Sequence, residues 1–238
     1  MRKLQFQLFL LGTAIVPLQP CLASASDDTR HFTVSAFGSY QAYAMSDVNS
    51  AMQYALTSYS GAQADKNEIS GGPGFGGALR VWPSDRAFVS LEFQRLLASN
   101  SGSGQYLGST YTVDLEVPAT SIGLGAGYVL MPGSSFRFGL TGGAGYYVST
   151  GDLVTRGPGV NDRSRLEGGG FGVHGSGLLL AKLAGKLDVE VDAGYRYAKT
   201  TDVTSNGYRI QNSDGSPAKI DWSGFTARAG LTFWVSDR

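Results

Sequence analysis

The chain has 238 residues, of which 34 are glycine and 16% are charged, and its formal net charge is zero. This balance, without a basic stretch, argues against a nucleic-acid partner. Abundant glycine and aromatic residues with turn-rich spacing favour an all-β protein, although the length alone fits either one β-barrel or two small domains.

The N-terminus has the pattern of a secretory signal peptide. Arg2 and Lys3 precede an apolar run over residues 4–16, and the small residues at 23–25 fit a cleavage site. The run is too short for a comfortable membrane-spanning helix, which needs roughly 20 apolar residues. We therefore predict that residues 1–25 are cleaved.

Cleavage there would leave residues 26–238 as one mature domain. Cys21 is the only cysteine and precedes the cut, so the mature chain would have no thiol for a disulfide, metal or redox site. A lipoprotein cysteine is the alternative interpretation of Cys21, but Gln19 and Pro20 before it fit that signal poorly.

Eight segments of the mature chain alternate between apolar and polar residues, the pattern of strands with two unlike faces. In chain order they span residues 31–43, 71–82, 87–97, 111–131, 136–149, 168–183, 187–199 and 222–235. The seventh is the clearest, because its apolar residues alternate with Asp188, Glu190 and Asp192 without a miss. In the fourth, the apolar face changes parity near residues 118–121, which predicts a bulge or an entering loop.

The predicted connectors alternate between long and short. The long ones span residues 44–70, 98–110, 150–167 and 200–221, and the short ones follow Trp82, Met131 and Leu183. Up-and-down connection would place the long loops at one end and the tight turns at the other, as in outer-membrane barrels. In the first long loop, Val48, Met52, Ala55 and Leu56 have helical spacing. They predict a short helix over the barrel mouth, either as plain loop packing or as a lid over an apolar pocket.

These features resemble the small eight-stranded outer-membrane barrels of the OmpA, OmpX and opacity type. The resemblance covers nearly the whole mature chain and includes the closing segment G-F-T-A-R-A-G-L-T-F-W-V, although residues 236–238 follow where such proteins usually end on an aromatic residue. It implies an all-β, eight-stranded antiparallel up-and-down transmembrane barrel with short periplasmic turns and long extracellular loops.

The resemblance also implies a location and partners. The protein would be a monomer in the outer membrane of a Gram-negative bacterium, in contact with lipid and lipopolysaccharide. Periplasmic chaperones and the barrel-assembly machinery would insert it. The rival fold is a soluble lipocalin-like barrel, which has an apolar interior and a polar exterior. The segregation of the loops by length, the gathering of aromatic residues near the strand ends and the mixed charges of the polar face favour the membrane barrel.

The polar faces of the strands are predicted to meet inside the barrel. The predicted ionic network comprises Arg80, Glu92, Arg137, His174, Lys182, Asp188, Glu190, Asp192, Arg196 and Arg228. An eight-stranded barrel is only just wide enough for its own side chains, so a salt-bridged plug is favoured over an ion path. Arg228 and Lys182 are expected to neutralise the three carboxylates of the seventh strand.

Aromatic residues gather near the strand ends and predict two girdles at the membrane interfaces. The predicted girdles contain Tyr40, Tyr146, Tyr195, Tyr197 and Trp222 at the loop end, and Trp82, Tyr128, Phe136, Phe233 and Trp234 at the turn end.

The predicted function is structural or interactive, with the loops contacting partners or small ligands; neither catalysis, a cofactor nor a metal site is expected. One alternative is an esterase, because His174-Gly175-Ser176 is similar to the His-x-Ser of lipid A deacylases, and Asp188 or Glu190 could orient the histidine. By parity, however, both side chains would face the interior, away from lipid. The other alternative is a narrow transporter or binder of small hydrophobic molecules.

Overall fold

The computed structural model describes residues 31–60, 68–106, 108–133, 135–212 and 214–235. The predicted signal peptide with Cys21, the predicted start of the mature domain and residues 236–238 lie outside this part of the chain. Among the described residues, the structure has one helix and twelve strands. No helix in this part of the chain is both long enough and apolar enough to span a membrane.

The helix, α1, spans Ser46–Ser60. The strands are β1 (His31–Ala42), β2 (Gly71–Trp82), β3 (Ala87–Leu96), β4 (Ser99–Tyr106), β5 (Ser109–Glu116), β6 (Ala119–Pro132), β7 (Phe136–Gly157), β8 (Val160–Ala184), β9 (Leu187–Ser205), β10 (Tyr208–Arg209), β11 (Ile220–Asp221) and β12 (Gly224–Trp234). Eight of them pair antiparallel in the order β1, β2, β3, β6, β7, β8, β9 and β12, and β12 pairs back to β1. This closed ring confirms the predicted eight-stranded up-and-down barrel.

The predicted fourth strand is two strands in the structure. β6 belongs to the ring, whereas β5 leaves it and pairs with β4 and with the far end of β7. Val117 and Pro118 separate the two strands, because proline has no backbone N–H to continue the hydrogen-bond ladder. Of the two predicted causes of the parity change, the bulge is therefore wrong, whereas the entering loop corresponds to the interruption between β5 and β6. The register shift of β6 lies elsewhere, between Val129 and Met131.

Much of the sequence that was predicted as long loops is strand. β7 and β8 stay paired up to Gly157 and Val160, well beyond the last residue that β7 pairs with β6, Ser149. Their polar, glycine-rich sequence resembles a loop, but the two arms pair with each other, β7 also pairs with β5 over residues 152–156, and β8 pairs with β9 at Leu166 and Glu167. We call the described residues of α1, β4, β5, the hairpin over 150–167 and the segment over 200–221 the platform.

The two faces of the ring differ in character. On β12, Phe225, Leu231 and Phe233 point outward and are about half exposed, whereas Arg228 and Thr232 point inward and are buried. The same alternation places aliphatic and aromatic side chains around the outside of the whole ring. An apolar exterior with a charged interior is the arrangement of a membrane barrel, and it is the reverse of the lipocalin alternative.

Candidate functional site

The interior of the ring is closed at the turn end by an apolar cluster, the lower plug. It consists of Trp82, Phe88, Val129, Leu178, Leu180 and Trp234. The ring centroids of Trp82 and Trp234 lie 5.3 Å apart, and Phe88 packs at 4.6 Å from Trp82. Both indole nitrogens are satisfied, because Trp82 donates to the hydroxyl of Thr33 at 3.2 Å and Trp234 donates to Asp188 at 2.8 Å.

The prediction of the aromatic girdles is wrong for three of its ten residues. Trp82, Trp222 and Trp234 are at most 2% exposed and lie inside the protein. The other seven predicted residues, Tyr40, Tyr128, Tyr146, Tyr195, Tyr197, Phe136 and Phe233, are exposed on the outside. The prediction used only the level of each aromatic residue along the strand. On β12, Phe233 faces outward, so its neighbour Trp234 must face inward.

A layer of paired charges lies above the lower plug. Two guanidinium nitrogens of Arg80 each donate to a carboxylate oxygen of Glu190 at 2.6 Å. The hydroxyl of Thr232 donates to the same carboxylate at 2.6 Å, and Arg80 also donates to Ser35 at 3.0 Å. All four side chains are buried. This bidentate pair joins β2 to β9 across the interior.

A second guanidinium neutralises the remaining carboxylates of this layer. Arg228 donates to Asp192 from Nε at 2.7 Å, with a further contact from one terminal nitrogen, and to Glu92 at 3.1 Å. Its carbon Cζ lies 4.9 Å from the centre of the Phe37 ring. Arg228 therefore joins two carboxylates on opposite sides of the interior, as a plug requires.

Lys182 does not belong to this network, contrary to the prediction. Its backbone lies opposite Asp188, but the register shifts between Lys182 and Ala184 at the turn, and its side chain is exposed. Arg80 was predicted to belong to the network, but its pairing with Glu190 was not predicted, because β2 is not a neighbour of β9 in the chain or in the ring. Arg137 is half-buried, and its guanidinium lies 5.1 Å from the Trp234 ring.

His174 and Ser176 face the interior in the middle of the barrel. The nearest carboxylate to His174 is Glu92, at 3.7 Å from Nε2, rather than Asp188 or Glu190, which are bound to Trp234 and Arg80. Among the described residues, neither His174 Nε2 nor Ser176 Oγ has a hydrogen-bond partner. A cavity of about 30 Å³ lies beside them, which is room for one or two waters.

The mouth end of the interior is closed by a second layer, the upper plug, formed by Tyr43, Tyr147, Arg196 and Trp222. The Arg196 guanidinium donates to the carbonyl oxygen of Trp222 at 2.8 and 3.0 Å and also contacts Gln41. The Trp222 indole is fully buried and donates to Ser149 at 2.9 Å. Tyr43 packs edge-on against Trp222 at 5.0 Å. Burial raises the pKa of Tyr43 to about 12, so its phenol stays protonated.

The helix α1 forms where helical spacing predicts it and packs over the upper plug. Met52 and Leu56 are buried against β4 and β5. A side chain at Gly102 of β4 would come within 2.7 Å of Leu56, so this glycine allows the close approach of the helix. The Asp47 carboxylate accepts hydrogen bonds from Asn212 at 3.1 Å and from the backbone of Lys219 at 3.0 Å, which ties the start of α1 to the 200–221 segment.

A groove of about 810 Å³ lies within the platform, between α1 and the strands that rise from the ring. Its apolar lining consists of Val48, Ala51, Met52, Ala55, Leu115, Leu153, Leu166, Val203, Ile210, Ala218 and Ile220, beside Tyr54. The upper plug lies between this groove and the ionic interior. Val48, Met52 and Ala55 of α1, which the sequence offered as a lid over an apolar pocket, form one wall of the groove. The other walls were not predicted, because they come from segments whose sequence predicts loops.

The outer face of the hairpin over 150–167 carries exposed ion pairs. Arg163 contacts Asp152 at 2.8 Å, and Arg165 contacts Glu167 at 2.8 Å. The hydrogen bond from Arg163 lowers the pKa of the Asp152 carboxyl. Such exposed pairs add little stability. Because each pair joins opposite charges, this surface is polar without a strong net charge. Within the described residues, no three His, Cys, Asp or Glu side chains are placed to share a metal ion.

Comparison with solved structures identifies the same architecture. A major outer membrane protein of Thermus thermophilus is 13% identical, covering 87% of this chain and 99% of its own, with a TM-score of 0.50. Neisserial surface protein A is 15% identical over 85% of this chain and 96% of its own, with a TM-score of 0.39. Ail of Yersinia pestis, in complex with the heparin analogue sucrose octasulfate, is 10% identical over 87% and 99%, with a TM-score of 0.43. No family model and no curated protein matches the sequence. The first likeness establishes that this chain has the fold of an outer-membrane β-barrel.

Proposed function

We propose that the protein is an integral outer-membrane barrel with a closed interior, and that its platform is a recognition surface on the outside of the cell. The observation that carries this proposal is the closure of both ends of the interior. Trp82 and Trp234 are buried at the turn end, and Trp222 is buried at the mouth. The carboxylates between them are held by Arg80 and Arg228. An interior filled in this way supports a structural plug better than an ion path.

The apolar exterior supports lipid as the surroundings of the ring, with lipopolysaccharide at the level of the platform. Insertion by periplasmic chaperones and the barrel-assembly machinery follows from this location. The closed ring leaves none of its eight strands with an open edge toward the membrane, and this supports a monomer. No nucleic-acid partner is proposed for a chain whose formal net charge is zero.

The platform supports recognition because it is a built structure rather than a set of loose loops. The hairpin over 150–167 continues the barrel wall, and β4 and β5 extend the same sheet. α1 packs on this sheet, and Asp47 ties the helix to the 200–221 segment. A rigid scaffold that positions polar side chains is the usual basis of a binding surface.

Conductance in planar lipid bilayers tests the closed interior. The protein should first shift on SDS gels between unboiled and boiled samples, which identifies the folded barrel. Bilayers that contain this folded form are expected to show no single-channel steps, whereas a general porin under the same conditions should show them. Discrete steps that appear only with the folded band would overturn the proposal and support a transporter.

We further propose that the chain is not an esterase. Ser176 Oγ is buried without a hydrogen-bond partner among the described residues, so no base is in place to activate it, and Asp188 and Glu190 are bound elsewhere. An activated serine needs a base within hydrogen-bond reach.

The substitution Ser176→Ala is therefore expected to leave the lipid A of the producing cells unchanged. It should also change the free energy of unfolding by less than about 1 kcal/mol, because the lost hydroxyl makes no hydrogen bond. Mass spectrometry of extracted lipid A gives the first result and urea unfolding the second. Cells without the protein are the matched control. Lipid A that lacks acyl chains only when Ser176 is intact would contradict this proposal and support the esterase alternative.

A further inference from the structure

We propose that the groove of the platform binds a small, uncharged molecule with an aliphatic chain, whose polar end lies near Asn212. This inference rests on the proposed function, since it assigns a ligand to the recognition surface. It is a binding site and not a passage, because the upper plug with Trp222 and Tyr147 lies between the groove and the interior.

The size and lining of the groove support a small-molecule site. Its volume, about 810 Å³, falls within the roughly 300–1,000 Å³ of typical ligand pockets. Ala55, Leu153, Leu166 and Ile210 lie at the edge of the buried core of the platform and are only partly buried themselves. A ligand that fills the groove would complete their burial, which is the main source of affinity for an apolar molecule.

The chemistry of the lining favours a flexible chain over a flat ring. Its apolar side chains are aliphatic apart from Met52, and Tyr54 is the single aromatic residue among the described residues that line it. No aromatic pair among them faces another to hold a planar group by stacking. Methionine adapts its shape easily, and this suits a chain that can take several conformations.

The charges of the groove favour an uncharged polar end. Asp47 and Lys219 are the two charged residues among the described lining, and they have opposite signs. One Asp47 oxygen already accepts two hydrogen bonds, from Asn212 and from the Lys219 backbone. Because these two charges have opposite signs, the groove has no net charge that would select an anion or a cation. Ser164, Ser205, Gln211 and Asn212 also line the groove and can hydrogen-bond a hydroxyl or amide.

Methyl NMR of methionine tests the proposal on the full protein in lipid nanodiscs, with 1-decanol as the probe. Three methionines lie in the described part of the chain: Met52 lines the groove, Met45 is buried beside it, and Met131 is exposed on the lipid-facing side near the turns. The expected result is a saturable shift of the Met52 signal. Met131 reports decanol that merely dissolves in the bilayer, so its signal should change only linearly. A Met52 signal that does not move, or that moves only in proportion to Met131, would overturn the proposal.

Two matched variants of α1 locate the site. Ala55→Phe places a phenyl group in the groove, whereas Thr57→Phe adds the same group at an exposed position that does not line it. Ala55→Phe is expected to weaken decanol binding at least about tenfold, and Thr57→Phe less than about twofold. Leu153→Phe fills the groove from the opposite wall and should reproduce the loss even if Ala55→Phe shifts the helix. Equal binding by the wild type and both groove variants would contradict the assignment.

The head group and the proposed function are tested separately. Decanoate and decylammonium have the same chain as decanol but carry a charge, and both are expected to bind more weakly at Met52. Tighter binding of either one would overturn the proposal that the polar end of the ligand is uncharged. Conductance steps together with a saturable Met52 shift would overturn the closed barrel and keep the groove. A bilayer without conductance steps, together with a Met52 signal that does not move, would keep the closed barrel and overturn the ligand site in the groove.

Discussion

Replacing Arg80 by methionine is expected to lower the free energy of unfolding by about 3–5 kcal/mol, the usual loss when one partner of a buried ion pair is removed. Arg80 and Glu190 are both 3% or less exposed, and the guanidinium supplies two of the three hydrogen bonds that Glu190 accepts. Without it, the carboxylate keeps only the hydroxyl of Thr232. Urea unfolding in lipid vesicles, followed by tryptophan fluorescence, measures the change.

The double variant Arg80→Met/Glu190→Met shows how much of this loss comes from leaving the Glu190 carboxylate buried without its partner. Replacing both partners of a buried ion pair with apolar residues of similar size is often nearly neutral, so the double variant should regain most of the lost stability. The matched surface control is Arg163→Met, whose ion pair with Asp152 is largely exposed; its effect should be several times smaller than that of Arg80→Met. A loss of that small size for Arg80→Met would mean that the Glu190 carboxylate is not buried as described.

The ring was predictable because two-residue alternation reports directly on the two faces of a strand. β2, β3 and β9 begin where the pattern begins, and their inward charges are those that the sequence showed. Which guanidinium meets which carboxylate was not predictable. Arg80 reaches Glu190 across three strand pairings of the ring, and such a distance depends on the curvature and stagger of the barrel, which no local pattern contains.

The strands of the platform were not predicted, for a different reason. The stretch over 98–106 is rich in serine and glycine, and the hairpin over 150–167 is rich in glycine and charged residues. Neither has apolar alternation. β4 pairs with β5 and the two arms of the hairpin pair with each other, and the two hairpins are joined by β5 and β7, which are remote in sequence. Strand preference depends more on such neighbours than on the residues themselves. The helix α1 was predictable, because Val48, Met52 and Leu56 bury one helical stripe against this sheet.

Replacing Trp234 by alanine is expected to lower the free energy of unfolding by about 3–5 kcal/mol, the usual loss for a large buried side chain. The indole is 2% exposed, packs on Trp82 at 5.3 Å and donates a hydrogen bond to the buried Asp188. Removing it leaves a cavity in the lower plug and takes one donor from that carboxylate. The narrow barrel cannot collapse to fill the space, because the ring fixes the distance between its walls.

Phe233→Ala is the matched control, since Phe233 is the preceding residue on β12 and faces the lipid. Its loss should be smaller, about 1–2 kcal/mol, because lipid fills the space and no cavity forms. Equal effects of the two substitutions would favour the girdle position that the sequence suggested for Trp234.

The Trp234→Ala barrel should also show no conductance, because Trp222 and Arg196 still close the mouth. Conductance in this variant would show that the lower plug alone seals the interior, and that the upper plug closes the groove without closing the barrel.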